Sequence, residues 1–310
     1  MTADHIWTLK ESLEWTLGYL DGKGDEHPRR SAEWLLSAAT GLSRVEIYAY
    51  HDRPLTPQER AALREGVKRR AGGQPLQYVT GEMAFRHLVV RVVPGVFIPR
   101  PETETLVDEG LEFLRGLSQP KRPKIDPPDA GDESQLVIDL CTGSGAIACS
   151  MAQEHPSSRV LATDLSALAV ATATANAERL GLSDRVEVFD GDLFSPLEIF
   201  AVERRLLGQV DLVISNPPYI PSSDLPDLPQ EVLGFEPHLA LDGGPDGLVI
   251  ARRIMEESTR WLRPQGMLAI ELDEGCVQIA VKQMSEWYEG IRTVRDLAGR
   301  DRVAIGYLRK

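Results

Sequence analysis

The residues with the clearest chemical potential are Asn216-Pro217-Pro218-Tyr219, which we call the N-P-P-Y turn. They follow an apolar run, residues 211–215, that is typical of a buried strand. Because prolines cannot continue a central hydrogen-bond ladder, the strand must end here. An amide, a rigid backbone and an aromatic ring are thus predicted at the carboxyl end of a strand, where ligands bind in open α/β sheets.

A second candidate for ligand binding is the segment DLCTGSGAIA, residues 139–148, in which residues 141–145 form what we call the glycine loop. Gly143 and Gly145 permit a tight turn and a close approach of the backbone to a ligand. Asp164 ends the next strand, where an acid can bind a ribose diol. Asp192 ends the third strand and could accept a hydrogen from an exocyclic amine, although a turn or a helix cap would also explain it.

Two details favour S-adenosylmethionine over a dinucleotide as the ligand of this loop. The spacing is G-x-G, without the third glycine of the dinucleotide fingerprint. In addition, Asp139 stands just before the loop, where it could receive a cationic amino group instead of a pyrophosphate.

The elements that must position these residues alternate from residue 135 onward. Strands are predicted at 135–140, 159–164, 185–190, 209–215 and 266–272, with helical segments between most of them. This alternation predicts a doubly wound α/β fold with a parallel sheet. Before it, residues 1–70 have helical periodicity, residues 78–98 have a strand-like pattern that suggests a hairpin, and residues 118–134 resemble a mobile loop or linker.

The charge balance argues against wholesale or direct sequence-specific binding to nucleic acid. The net charge is −13 and the pI is near 5.0, whereas such binding depends on neutralising phosphates. A basic run can be either a local patch or a solvated helix face. Its members are Arg60, Arg64, Lys68, Arg69 and Arg70.

Cysteine usage and the apolar runs indicate a cytoplasmic protein. Cys141, Cys149 and Cys276 are too few and too scattered for a disulfide framework or a metal site such as zinc. The first residues lack a signal-peptide pattern, and no apolar run reaches the length of a membrane span. We therefore expect no membrane partner.

The chain resembles the amino-methyltransferases in three motifs: the glycine loop, the acid that ends the second strand and the N-P-P-Y turn. More closely, the whole chain resembles the bacterial release factor glutamine methyltransferases, the HemK/PrmC family. The glycine loop and the N-P-P-Y turn specify only the broad class, whereas the segments IPRPETE, residues 98–104, and FEP, residues 235–237, narrow the resemblance to this family.

The resemblance implies a class I, Rossmann-like, S-adenosylmethionine-dependent methyltransferase sheet with a small helical amino-terminal domain joined by a β-hairpin. It divides the chain into a helical substrate-recognition domain (1–76), a hairpin and linker (77–134) and the methyltransferase domain (135–310). The implied substrate is the glutamine of the Gly-Gly-Gln motif in peptide-chain release factors.

The resemblance also implies roles for individual residues. Asn216 and Pro217 would be catalytic, and the glutamine would be bound by Asn216, Pro217, Pro218 and Tyr219. The cofactor would be bound by Asp139, Cys141, Thr142, Gly143, Ser144, Gly145, Asp164, Asp192, Leu193 and Asn216. Arg100 and Glu102 belong to a segment that closes near the site in relatives, although an arginine in a proline-rich turn is as often structural.

An amide substrate accounts for the N-P-P-Y turn. An amide nitrogen is a poor nucleophile because its lone pair is delocalised into the carbonyl group. If the Asn216 side-chain oxygen and the Pro217 carbonyl accept its two hydrogens, the nitrogen is aimed at the methyl on sulfur. The prolines fix the backbone because their φ angles are locked. Tyr219 can stack on the amide or on the adenine.

Two positions depart from the family's pattern. Cys141 stands where relatives usually carry glycine, and its side chain would crowd the cofactor unless the backbone is regular there. The segment ELDEG, residues 271–275, replaces a more usual Glu-x-Gly after the fifth strand, in what we expect to be a peripheral loop.

Three alternatives remain open at this point. The same chemistry could act on the glutamine of a ribosomal protein, since the N-P-P-Y turn serves both substrates. A nucleic-acid adenine methyltransferase would present the same kind of NH₂ group, but it would need base extrusion and a phosphate-binding surface. A non-catalytic binding module on the same fold is the third, because fold alone does not establish activity.

Overall fold

The computed structural model describes residues 5–117 and 134–310. The chain forms two compact units, one running up to Glu82 and including Pro229–Phe235, the other comprising Met83–Leu228 and Glu236–Lys310. The predicted loop at 118–134 lies outside the described residues, except for Ser134. The division at residues 76/77 and 134/135 remains a prediction.

The α-helices of the described residues are α1 (Leu9–Asp21), α2 (Pro28–Thr40), α3 (Arg44–Ala49), α4 (Pro57–Ala71), α5 (Leu76–Thr80), α6 (Thr103–Gly116), α7 (Ala146–Glu154), α8 (Ala167–Arg179), α9 (Ser195–Ala201), α10 (Gln230–Leu233), α11 (Val249–Trp261) and α12 (Glu274–Met284). The strands are β1 (Glu82–Phe85), β2 (Leu88–Arg91), β3 (Gln135–Leu140), β4 (Ser158–Asp164), β5 (Val186–Asp190), β6 (Val210–Ser215), β7 (Leu262–Glu271), β8 (Tyr288–Arg295) and β9 (Asp301–Leu308).

The amino-terminal unit is helical, as predicted. Helices α1, α3 and α4 each begin with a capping box, in which a threonine or serine and a glutamate three residues later satisfy each other's backbone N–H groups. The predicted start at Thr56, with Pro57 first in α4, is confirmed. Leucines and other apolar residues from α1 to α5 form a hydrophobic core that belongs to this unit alone.

The basic run in α4 is only partly a solvated face. Arg64 and Lys68 are exposed, but Arg70 lies between Asp25 and Glu231, at 2.7 and 2.9 Å. Arg69 donates to the Gln74 side chain and to a backbone carbonyl. These two arginines hold the helical unit together and are not available as a phosphate-binding patch.

The second unit is built on a seven-stranded sheet with the order β5-β4-β3-β6-β7-β9-β8. The pairs among β5, β4, β3, β6 and β7 are parallel, which confirms the predicted doubly wound fold. Strands β3 and β6 are buried along their whole length, as expected for central strands covered by helices on both faces. At the other end, β9 lies antiparallel to β7 and to β8, an addition that the alternating pattern did not predict.

The hairpin is shorter than the strand-like pattern of residues 78–98. Strands β1 and β2 form a two-stranded sheet, but residues 78–80 belong to helix α5, which begins after Pro75 and ends where the Gly81 N–H bonds the Gln77 carbonyl. Proline before a helix and glycine after it are start and stop signals that outweigh the strand propensity of valine and threonine here.

Candidate functional site

The candidate site residues lie at the carboxyl edge of the parallel sheet. Leu140, at the end of β3, pairs with Ser215 at the end of β6, and Ser215 pairs with Ile270 in β7. The next residues are the first of the glycine loop, the N-P-P-Y turn and Glu271. The strand register therefore brings these three segments to one edge, as the strand-end argument predicted.

The glycine loop depends on left-handed backbone angles. Gly145 has φ +78°, and a Cβ built there would lie 3.0 Å from the Ala173 Cβ, so both its conformation and its contact with α8 require glycine. Gly143 has φ +58° with no atom within 4 Å of a built Cβ, which leaves open space on that side. Cys141 also has a positive φ, 58°. The backbone is therefore not regular at Cys141, and this conformation is strained for a residue with a Cβ.

Asp139 is a buried carboxyl group that holds the loop in shape. Its Oδ2 accepts hydrogen bonds from the Thr142 hydroxyl, at 2.6 Å, and from the Ala148 N–H, at 3.1 Å. Its Oδ1 has no hydrogen-bond partner among the described residues. Burial raises the pKa of Asp139 to about 7. A cationic ligand group would favour the ionised form, so the unused oxygen fits the predicted amino group.

Asp164 connects the second strand of the sheet to the glycine loop. Its Oδ2 accepts from the Gly143 N–H at 2.8 Å, and its Oδ1 accepts from the Ser166 N–H at 2.9 Å. Burial raises the pKa of this carboxyl, while the two backbone N–H groups partly oppose that shift. A carboxylate oxygen can accept more than one hydrogen bond, so binding of a ribose hydroxyl is compatible with these contacts.

The remaining residues predicted to bind the cofactor have other partners. The prediction that Asp192 ends the third strand was wrong, since β5 ends at Asp190 and Asp192 follows in the loop. Both carboxylate oxygens of Asp192 accept from Arg253, at 3.1 and 2.8 Å, so any exocyclic amine would have to share these oxygens with a guanidinium group. The Leu193 side chain is buried in the sheet core, which leaves its backbone to face a ligand. Ser144 is buried, and its carbonyl accepts from the Asn176 side chain.

The N-P-P-Y turn holds its asparagine in a defined orientation. Asn216 is half-buried, and its Nδ2 donates to the Thr103 hydroxyl at 3.0 Å. The side-chain oxygen must therefore point the other way. Pro217 is buried, whereas Tyr219 is half-buried against the sheet core. Burial raises the pKa of the Tyr219 hydroxyl, so it stays neutral at physiological pH.

The two segments that narrowed the resemblance meet in the structure. Arg100, from IPRPETE, forms an ion pair with the buried carboxylate of Glu236, from FEP. The same carboxylate accepts from the Ile98 N–H. Glu102 pairs with Arg300 at 3.3 Å. Arg100 and Glu102 thus fasten the segment that leads into α6, which is a structural role.

Sequence reasoning missed two residues at this edge. Thr103, the first residue of α6, bonds Asn216 although it is 113 positions away in the chain. Glu271 is buried at the end of β7 and does not lie in a peripheral loop, contrary to our expectation for ELDEG. A signal for Glu271 was available, since it is an acid that ends an apolar strand just as Asp164 does. No local signal identifies Thr103.

The donor set fits S-adenosylmethionine. It offers one unpartnered buried carboxylate oxygen at Asp139, open space beside Gly143 and a carboxylate at the end of β4. Within the described ranges, no group of histidine, cysteine or acidic side chains is arranged to hold a metal ion. No helix in this part of the chain is long and apolar enough to span a bilayer.

Comparison with protein families gives two matches along the chain. Residues 11–81 match the PrmC N-terminal domain, and residues 117–231 match the methyltransferase small domain. The first match covers most of the helical unit. The second contains the glycine loop and the N-P-P-Y turn.

Full-length relatives agree with these matches. The release factor glutamine methyltransferase of Geobacter sulfurreducens is 41% identical over 97% of this chain and 97% of its own length. The proteins of the same name from Moorella thermoacetica and Rhodopirellula baltica are 40% and 38% identical, over 98% and 97% of this chain and 99% and 96% of their own lengths. The resemblance inferred from residues 98–104 and 235–237 is confirmed, and the chain belongs to the family of release factor glutamine methyltransferases.

Proposed function

We propose that this chain transfers a methyl group from S-adenosylmethionine to the side-chain amide nitrogen of the glutamine in the Gly-Gly-Gln motif of peptide-chain release factors. The observation that carries the proposal is the orientation of Asn216. Its side-chain nitrogen is already bonded to Thr103, so its oxygen is left to accept a hydrogen from a substrate. The names of the full-length relatives supply the class of substrate.

The N-P-P-Y turn would bind the substrate amide through its two hydrogens. One would bond the Asn216 side-chain oxygen and the other the Pro217 carbonyl. Two acceptors select an NH₂ group over a hydroxyl group, and the locked φ of each proline keeps the backbone carbonyl in place. Tyr219, which stays neutral, would pack its ring against the flat amide. The chain thereby restricts the amide to one orientation before reaction.

The cofactor supplies an electrophilic methyl group on a sulfonium ion. Asp139, the glycine loop and Asp164 would hold it, and the Leu193 backbone and Asp192 would flank its adenine. No side chain of the protein has to act as a nucleophile, and burial raises the pKa of the Cys141 thiol, which keeps it protonated. Alignment of the reactants can contribute up to roughly 7–11 kcal/mol to the barrier reduction.

We also propose that residues 1–76 select the release factor and that residues 135–310 carry out the chemistry. The free cysteines Cys141, Cys149 and Cys276 are compatible with a cytosolic location. Arg69 and Arg70 are bonded to partners within the helical unit, which supports a protein substrate over nucleic acid.

A methyl-transfer assay with labelled S-adenosylmethionine tests the proposal. The substrates are a purified release factor, the same factor with its Gly-Gly-Gln glutamine changed to alanine, and ribosomal proteins. We expect label on the intact release factor alone and none with the Asn216→Ala enzyme. Label on a ribosomal protein, or on the altered release factor, would overturn the substrate assignment. Binding of the cofactor without label on any substrate would favour a non-catalytic module.

A further inference from the structure

Glu271 is a carboxyl group buried beside the N-P-P-Y turn without an obvious structural task. It is 1% exposed, and its Oε2 has no hydrogen-bond partner among the described residues. Asn216 and Glu271 follow Ser215 and Ile270, which are paired across β6 and β7, and Asn216 is bonded to Thr103. This places the Thr103 hydroxyl and the Asn216 amide beside the carboxyl group, and both lower its pKa by hydrogen bonding. Burying a carboxyl group costs free energy unless hydrogen bonds or an opposite charge compensate it, and one oxygen of Glu271 has no such bond within the described residues.

The charged surroundings of Glu271 pull its pKa in both directions. Burial raises the pKa to about 7, and the Glu102 carboxylate, at the start of α6, adds to that effect. The Thr103 hydroxyl, Arg302 on β9 and the Asn216 amide lower it. Burial and the charge of Glu271 both raise the pKa of the Tyr219 hydroxyl, which is therefore neutral. Glu271 is therefore poised to change its charge near neutral pH.

The hydrogen-bond inventory of Thr103 makes that charge matter. Its hydroxyl accepts from Asn216 Nδ2, so its single proton is free for another acceptor. An ionised Glu271 can only accept. It therefore accepts a hydrogen bond from the Thr103 hydroxyl, and the hydroxyl oxygen is left to accept a hydrogen bond from Asn216. If Glu271 is protonated, or is replaced by an amide, the hydroxyl can accept from residue 271 and donate to the Asn216 oxygen. The Asn216 amide would then rotate by half a turn.

We propose that Glu271 is a positioning residue that acts with Thr103 to keep the Asn216 oxygen facing the substrate. A rotated Asn216 would present its own NH₂ group to the substrate NH₂ group, and two donors cannot bond each other. The catalytic consequence rests on the proposed function, because it requires a substrate with an amide NH₂. The orientation of Asn216 itself does not depend on which substrate is used.

The chain offers an unusually clean readout of this orientation, because its only asparagines are Asn176 and Asn216. Selective ¹⁵N-asparagine labelling gives two side-chain NH₂ signals in an NMR spectrum of the intact protein, and Asn216→Ala identifies which one belongs to Asn216. We expect the Asn216 signal to move with pH with a midpoint near 7. In Glu271→Gln this movement should be lost. An Asn216 signal that ignores both pH and the substitution would overturn the proposal.

Asn176 and the second buried carboxyl provide the internal reference. The Asn176 side chain bonds the Ser144 and Arg91 carbonyls, beside the glycine loop, and Asp139 also has a pKa of about 7. Any effect of Asp139 on the Asn176 signal should persist in Glu271→Gln. Glu256→Gln, which changes an exposed glutamate on α11, is the matched control and should leave both signals unchanged.

Kinetics then connect the orientation to the reaction. Glu271→Gln and Thr103→Val should lower kcat about 10–100-fold with little change in KM for the release factor. Thr103→Ser, which keeps the hydroxyl, should restore most of kcat. Calorimetry should give near wild-type cofactor affinity for all three variants. A loss of cofactor affinity equal to the loss in rate would indicate a merely structural role and contradict the proposal. If the wild-type enzyme labels no release factor, the proposed function fails, while the NMR result still decides the role of Glu271.

Discussion

The glycine loop and the N-P-P-Y turn lie at the same edge of the sheet but obtain their shapes by opposite means. The glycine loop uses left-handed backbone angles at Cys141, Gly143 and Gly145 and is held by the buried Asp139. The N-P-P-Y turn uses two prolines, whose ring closure fixes φ. The backbone of the glycine loop can approach a ligand closely. The N-P-P-Y turn presents one side chain and one carbonyl in fixed directions, which suits recognition of a specific substrate group.

This difference between the two turns predicts that the largest loss of activity follows a substitution in the N-P-P-Y turn. Asn216→Ala removes one of the two proposed acceptors for the substrate amide. We expect kcat to fall by about 10²–10³-fold, the cost typical of removing one preorganised group from an active site. Single-turnover kinetics with the release factor measure this. A variant that keeps more than half of the wild-type rate would remove Asn216 from the mechanism.

In the glycine loop, the largest expected effect is on stability and depends on pH. Burial raises the pKa of Asp139 from 3.8 to about 7, so folding favours the protonated form. The stabilising contribution is complete below about pH 3.8 and is lost as pH rises through about 7. Asp139→Asn has no carboxyl group to titrate and does not undergo this loss. Between pH 4 and pH 8, its free energy of unfolding should therefore rise relative to that of the wild type by on the order of 3 kcal/mol.

Urea unfolding of both proteins at several pH values measures this difference. Asp139→Asn should also bind S-adenosylmethionine more weakly, since it has lost the charge proposed to receive the amino group. Calorimetry at pH 8 measures that affinity. Identical pH dependence of unfolding in the two proteins would show that Asp139 does not titrate as proposed.

The two turns also differ in how much of them could be predicted from the sequence. Both were predicted, because glycine and proline restrict the backbone locally and because strand ends follow from the apolar runs. Thr103 could not be predicted as a partner of Asn216, since their contact depends on how α6 packs against the sheet. The predicted strand at 266–272 contains Glu271 and is confirmed by β7, whereas the expectation that ELDEG forms a peripheral loop was wrong.

Outside the site, the limits of prediction have similar causes. The alternating pattern predicted the parallel strands, whereas the antiparallel pairing of β9 depends on long-range register that periodicity does not encode. The sequence did not indicate that Arg70 would be paired and partly buried, because its partners Asp25 and Glu231 are distant in the sequence.

Loosening the N-P-P-Y turn without removing an acceptor should have a smaller effect. Pro217→Ala keeps the backbone carbonyl but frees φ, and we expect a loss of about 0.4–1 kcal/mol in unfolding free energy together with a few-fold lower kcat. Urea unfolding and steady-state kinetics measure both quantities. Pro221→Ala, just beyond the turn, is the matched control for the loss of a proline. Equal kcat in the two variants would show that rigidity at residue 217 is not used.

The smallest predicted effect is the relief of strain in the glycine loop. Cys141 has φ 58°, which costs roughly 1–2 kcal/mol for a residue with a Cβ. Glycine would remove that strain but add about 0.5–1 kcal/mol of unfolded-state entropy. Cys141→Gly should therefore be more stable than the wild type by up to about 1.5 kcal/mol. Cys141→Ala keeps the strain and should show no such gain in urea unfolding, and equal stabilities of the two variants would contradict the argument.

The central claim, that Asn216 and its turn direct a methyl group onto one glutamine amide, is tested most directly by locating the product. A release factor incubated with S-adenosylmethionine and either the wild-type enzyme or Asn216→Ala would be digested and sequenced by tandem mass spectrometry. The account predicts a single methyl group on the side-chain nitrogen of the Gly-Gly-Gln glutamine with the wild-type enzyme, and almost none with Asn216→Ala. A methyl group on any other residue, or an equal yield from the two enzymes, would contradict it.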